Sequence, residues 1–177
     1  MSIVLAPPAF ELPAALFSEG YRLRPETEDD IAFLMRLYAS TREDELAPVP
    51  WPAEQKAAFL ASQFAAQRHH YRTYIEGCAF DVLEHRGVPV GRLYLEARPT
   101  RLHIVDIALL PECRNKGLGG QILEALMAAG RATNRGVGIM VETFNPAMRL
   151  YRRLGFVDVG ELGVHLEMEW LPEAKVS

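Results

Sequence analysis

The segment Cys113-Arg114-Asn115-Lys116-Gly117-Leu118-Gly119-Gly120 joins an apolar run, Leu102 to Leu110, to a stretch with helical spacing. Any helix begins with backbone N–H groups that have no partner inside it, and with the positive end of its dipole. Glycines at such a start let the main chain come close to an anion, because no side chain stands between them. Arg114 and Lys116 add positive charge. The chemistry this pattern suits is the grip of a diphosphate by main-chain donors. The bland alternative is a strand-to-helix connection that glycine merely makes easy. The spacing matches neither the G-x-G-x-x-G turn of dinucleotide folds nor the phosphate loop that ends in Lys-Ser/Thr.

The elements that must position this turn can be read from periodicity. Tyr21 to Arg24 reads as a short strand. Thr27 opens a helix, with Asp30 three residues on as a variant of the capping box. Ile31, Leu34, Met35 and Tyr38 form its apolar stripe. The proline-rich segment Ala47 to Pro52 breaks it, and a second helix starts near Pro52 or Ala53 with Ala57, Leu60, Ala61 and Phe64 inward. Ala79 to Glu84 and Val88 to Ala97 are strands around a hairpin turn, His85-Arg86-Gly87. Leu102 to Leu110, a nearly unbroken apolar run interrupted by Asp106, reads as a strand buried on both faces. A helix follows from about Gly117 to Gly130, then a strand from Val137 to Glu142. Asn145 caps a short helix, Pro146 sits in its first turn and Gly155 follows its end. Phe156 to Val159 and Val164 to Trp170 finish the sheet. The order β-α-α-β-β-β-α-β-α-β-β predicts one α/β domain over residues 21–171, with residues 1–20 a loose arm and 172–177 a polar tail.

A chain of 177 residues with 49% apolar residues is long and apolar enough to fold around its own core. Its net charge of −4 and pI near 5.8 argue against nucleic acid as a partner and leave a cationic or amine substrate compatible. Cys78 and Cys113 are the two cysteines, which fits a reducing, cytoplasmic setting better than a disulfide scaffold. No apolar run is long enough to span a membrane, and Met1 to Phe10 has no basic start, so neither a membrane partner nor a signal peptide is expected. His69, His70 and His85 lack the spacing of a ligand set, so no metal is expected.

The segment V-D-I-A-L-L-P-E-C-R-N-K-G-L-G-G-Q-I-L resembles the acetyl-CoA signature of the GNAT superfamily of N-acetyltransferases, whose core falls here on Arg114, Gly117 and Gly119. A second motif of that family is matched downstream by N-P-A-M-R-L-Y-R-R-L-G-F, Asn145 to Phe156. The resemblance covers about Tyr21 to Trp170 in element order. It implies a mixed, mostly antiparallel, twisted sheet of roughly seven strands, splayed between the fourth and fifth and flanked by about four helices.

It also implies roles. The amides of Arg114, Asn115, Lys116, Gly117, Leu118, Gly119 and Gly120 would hold the diphosphate of acetyl-CoA. Ile107, Ala108 and Leu109 would pair through their backbone with the pantetheine arm, as an added strand does. Asn145 matches a position that contacts the arm, beside its capping role. Tyr151 matches the general acid that protonates the departing thiolate, against the alternative of a core tyrosine. For the base that accepts a proton from the attacking amine, Glu142 and Asp106 compete, with His103 a weaker third. Glu43-Asp44-Glu45 reads as a solvated helix face, with attraction of a cationic substrate as the alternative, and Trp51 is a candidate wall of an acceptor pocket. The expected activity is acetyl transfer to a primary amine on a small molecule or peptide; a homodimer is compatible with the resemblance. The alternative is an inactive module that keeps only affinity for CoA.

Overall fold

The computed structural model describes residues 8–173. Residues 1–7 of the expected arm and 174–177 of the expected tail lie outside the described residues. Seven strands form one sheet in the order β1-β2-β3-β4-β5-β7-β6. They are β1 (Tyr21–Pro25), β2 (Cys78–His85), β3 (Val88–Ala97), β4 (Arg101–Leu109), β5 (Gly136–Glu142), β6 (Val157–Leu162) and β7 (His165–Trp170). Every neighbouring pair is antiparallel except β4 and β5. Among the described residues five helices accompany the sheet: α1 (Ala14–Glu19), α2 (Ile31–Leu46), α3 (Ala53–Tyr74), α4 (Leu118–Thr133) and α5 (Met148–Arg153). The expected mixed, mostly antiparallel sheet and its helical flanks are therefore present. The fifth helix is α1, inside the stretch read as an arm, and its Leu16 is buried in the main core.

The β2–β3 turn explains its own sequence. Arg86 and Gly87 both take left-handed backbone, the two-residue hairpin whose twist matches the flanking strands. On one face of the sheet α4 buries Leu118, Ile122, Leu123, Leu126 and Met127 against Leu93, Ile104, Val137 and Ile139. On the other, α2 and α3 pack Phe33, Leu34, Leu37, Tyr38 and Phe64 over Val82. The inward face of α2 is rotated from the expected stripe: Phe33 and Leu37 are buried, while Met35 is exposed. The helix leans on α3 as well as on the sheet, so its apolar face is broader than one stripe. In α3 only Phe64 is buried, and Ala57 is exposed.

The start of α2 is fixed by charge. Asp30 accepts from the Thr27 N–H at 2.8 Å, while Arg24 grips both its oxygens at 2.7 and 2.8 Å. The Arg24 hydrogen bonds pull the Asp30 carboxyl down to about 2, against the opposing effect of burial. A lowered carboxyl stabilises the fold above its unfolded value and loses that contribution as pH falls through the folded value. Asp30→Asn should therefore cost on the order of 1–3 kcal/mol in urea denaturation at neutral pH. The gap to wild type should hold down to about pH 4 and close toward about pH 2. A gap that persisted unchanged at pH 2 would contradict this role.

Candidate functional site

The parallel pair β4–β5 is joined only from Arg101↔Gly136 to Ile104↔Ile139. β4 then runs on to Leu109 and β5 to Glu142 with no further pairing between them. The point of parting coincides with a bulge. Tyr94 of β3 opposes Asp106 and Leu95 opposes Ile104, so Val105 is the extra residue of β4. A bulge bends its strand and ends regular pairing. Ile107, Ala108 and Leu109 pair with β3 along one edge through Leu93, Arg92 and Gly91. Their other edge opens on the wedge between the two strands, where an extended chain can add itself by backbone hydrogen bonds.

At the end of β4 the chain makes a short turn, Pro111–Cys113, and then the glycine-rich segment. Asn115 and Gly117 both lie in the left-handed region, with φ of 57° and 85°. Such backbone lets successive amides converge on one point, and it is why glycine stands at the N-cap. Asn115, Lys116 and Gly117 donate no backbone hydrogen bond among the described residues. The first bond of α4 is made by the Gln121 N–H to the Gly117 carbonyl, so Leu118, Gly119 and Gly120 also have free N–H groups. Six consecutive main-chain donors thus stand at the positive end of a 16-residue helix. A Cβ at Gly119 or Gly120 would meet only Leu150, at 3.9 and 3.7 Å. Nothing in the chain's own packing demands glycine there. An approaching ligand would.

The Arg114 side chain is spent on structure. Its Nε donates to the Leu109 carbonyl at 2.8 Å and its guanidinium to Ser40 Oγ at 3.0 Å. Two residues along the same helix, Arg42 donates to Glu142 at the end of β5, at 3.0 Å, and pairs with Glu45. The C-terminal half of α2 therefore holds both lips of the wedge, Ser40 on the β4 side and Arg42 on the β5 side. Lys116 is exposed.

Tyr151 lies on α5, only 3% exposed and against Phe156. Burial raises its phenol well above the ordinary value, and the Asp106 carboxylate adds to the shift. The group keeps its proton and lies close enough to Asp106 to feel its charge. Asp106 is not a lone carboxylate in apolar surroundings. Buried Arg92 donates to it at 2.8 Å and Tyr71 at 3.2 Å. Glu142 is half-buried, with Arg42 on one side and His165 Nε2 at 3.9 Å on the other. Asn145 is not the helix cap expected of it: α5 starts at Met148 with Ala147 as its N-cap. Asn145 Oδ1 instead accepts from the Ala147 N–H at 2.9 Å in the turn before the helix, with Pro146 also outside it. Trp51 packs edge-on to Phe59, both part-exposed. Ser40, Arg42, Tyr71 and Arg92 were not foreseen. Of these only Arg92 left a trace, as a lone cation inside the apolar run Val88 to Ala97.

Among the described residues no group of three or more His, Cys, Asp or Glu is placed to hold a metal, and no helix is long and apolar enough to cross a membrane. A cavity of about 870 Å³ opens elsewhere, between α2 and α3, and none of the wedge residues lines it.

The acetyltransferase (GNAT) family model matches residues 32–156. Similar solved structures include the PaiA N-acetyltransferase of Thermoplasma acidophilum in complex with coenzyme A. Its TM-score is 0.63 at 15% identity, over 86% of this chain and 99% of that one. An acetyltransferase from Thermus thermophilus gives 0.61 at 20% identity, over 86% and 97%. RimL, a ribosomal L7/L12 alpha-N-protein acetyltransferase, gives 0.57 at 18% identity, over 86% and 91%. No curated protein matches the sequence significantly.

His103, on β4 before the bulge, is buried with its Nδ1 unpartnered. Burial, with Arg98 and Arg101 nearby, lowers its imidazole to about 3, which makes it too weak a base to deprotonate an amine. A folded histidine lowered below the unfolded value of about 6.5 favours unfolding once the pH drops under that value. Between about pH 6 and pH 4 the wild type should lose up to roughly 1.4 kcal/mol per pH unit relative to His103→Phe, read by urea denaturation. Equal slopes for the two proteins would contradict the assignment.

Proposed function

This chain belongs to the acetyltransferase (GNAT) family, and from that premise we propose that it transfers the acetyl group of acetyl-CoA to a primary amine by direct attack on the thioester. The observation that carries the proposal is the row of six free main-chain donors, Asn115 to Gly120, set beside the unpaired edge of β4. A diphosphate supplies the acceptors those donors lack. The pantetheine arm supplies a strand-like partner for Ile107 to Leu109. The T. acidophilum neighbour, which holds coenzyme A on the same fold, supports carrying that ligand over. The proposed unit is residues 21–171.

The reaction needs a proton removed from the amine and one delivered to the leaving sulfur. The amine nitrogen attacks the thioester carbonyl, the C–S bond breaks, and Tyr151 donates its proton to the thiolate. Burial keeps the Tyr151 phenol protonated, so the proton that this step needs is present on it. Asp106 and Glu142 are the two carboxylates at the wedge, and each is held by an arginine. Asp106 is the preferred acceptor of the amine's proton, through a water, because it stands on β4 just past the bulge where the wedge opens. Glu142 sits at the end of β5 beside Arg42, where it orients the acceptor.

Tyr151→Phe should lower kcat for CoA release by about 10²- to 10⁴-fold with the best amine substrate, while the Kd for CoA stays within a factor of two. Asp106→Asn should cost more in kcat than Glu142→Gln, which should act mainly on the KM of the amine. Full turnover in Tyr151→Phe would remove the acid role. Tight CoA binding with no turnover on any amine would favour a binding module.

A further inference from the structure

Beneath the C-terminal half of α3 the sheet carries charge instead of apolar packing. Glu26, whose side chain is 1% exposed, accepts from Tyr94 Oη, Arg68 and Arg72. Beside it Arg92 pairs with Asp106 and also donates to Gln67 at 3.0 Å. Above this layer the 870 Å³ cavity opens between α2 and α3. Its apolar wall is built from Ile31, Met35 and Phe64, and its polar wall from Arg68, His69 and Arg72 with Glu26 and Glu28 beside them.

Hydrogen-bond accounting at that wall is unbalanced. Two guanidiniums offer ten N–H donors. The acceptors they meet are Glu26, which also serves Tyr94, and Glu28, 84% exposed and 3.3 Å from Arg68. Arg72 makes no bond but the one to Glu26 among the described residues, and it stays 42% exposed. A third donor is in surplus nearby. The Nε of Arg92, a side chain 4% exposed, has no partner. Arg92 lines a small void of about 10 Å³ that shares Glu26, Phe64, Arg68 and Arg72 with the large cavity. Only the Arg92 Nε is a buried donor without an acceptor, while the remaining N–H groups of Arg68 and Arg72 face the open cavity and are free to meet an occupant that brings acceptors. The opposite wall requires that the rest of the occupant be apolar.

We propose that this cavity is a binding site for a small carboxylate with an apolar body. The carboxylate lies on Arg72 and Arg68, and the body runs along Met35 and Ile31 toward Phe64. The site is separate from the acyl-transfer wedge, because none of the wedge residues lines the cavity. It does not depend on the chain being an acetyltransferase.

The test is calorimetric titration of the full chain with octanoate and phenylacetate, with octylamine as the charge-reversed control. One carboxylate at least should bind with a Kd below about 1 mM, and octylamine should bind at least tenfold more weakly. Met35→Trp fills the cavity without touching a charge and should abolish binding. Arg72→Gln should weaken it by roughly tenfold. Both variants should bind CoA as the wild type does, which separates this site from the wedge. No binding by either carboxylate, binding undiminished in Met35→Trp, or octylamine binding equally well would overturn the proposal.

Discussion

The fold's use depends on two neighbouring strands being held apart. Hydrogen bonding favours closing any gap between parallel strands, because unpaired backbone edges are costly once water is displaced. Here β4 and β5 separate after four paired positions, and the gap is held by more than the bulge at Val105. Ser40 reaches one lip through Arg114, and Arg42 reaches the other through Glu142. Residues two apart on a helix point to different sides. One stretch of α2 can therefore act on both lips and keep the wedge at a fixed width.

The arginines of the site are mostly spent on holding the protein rather than a ligand. Arg114 closes the strand end, Arg42 the β5 end, and Arg92 the Asp106 carboxylate. The proposal leaves anion binding to the main chain at the start of α4, where the N–H groups are unpaired and α4 supplies the dipole. This division keeps a preorganised set of N–H groups free while the side chains fix the turn's position. It also places Tyr151 and Asp106 in one shared, poorly solvated environment, where the phenol retains its proton.

Much of this was legible in the sequence because it depends on local rules. β3 falls at Val88–Ala97, where its β-rich run and the His85-Arg86-Gly87 turn put it. Glycine at 117 and the order of the two motifs identified the turn and its neighbour α5, which Leu150 presses against Gly119 and Gly120. What escaped was long-range. Ser40 with Arg114, Arg42 with Glu142 and Tyr71 with Asp106 are separated by 74, 100 and 35 residues. No periodicity encodes such pairs. Asp106 reads as isolated because its strand is apolar, yet its partners come from β3 and α3. The stripe of α2 differs for a related reason: one sequence pattern cannot tell that a helix packs against two partners, and Met35 is left facing a cavity.

The most direct measurement is a titration of coenzyme A into ¹⁵N-labelled protein, followed amide by amide. The largest shifts should fall on Asn115 to Gly120, with a second set on Val105 to Leu109 along the open edge of β4. Amides on β1 and β2 should stay still. If coenzyme A left the Asn115 to Gly120 signals in place, or moved mainly residues far from the wedge, the idea that these main-chain donors grip its diphosphate would be wrong.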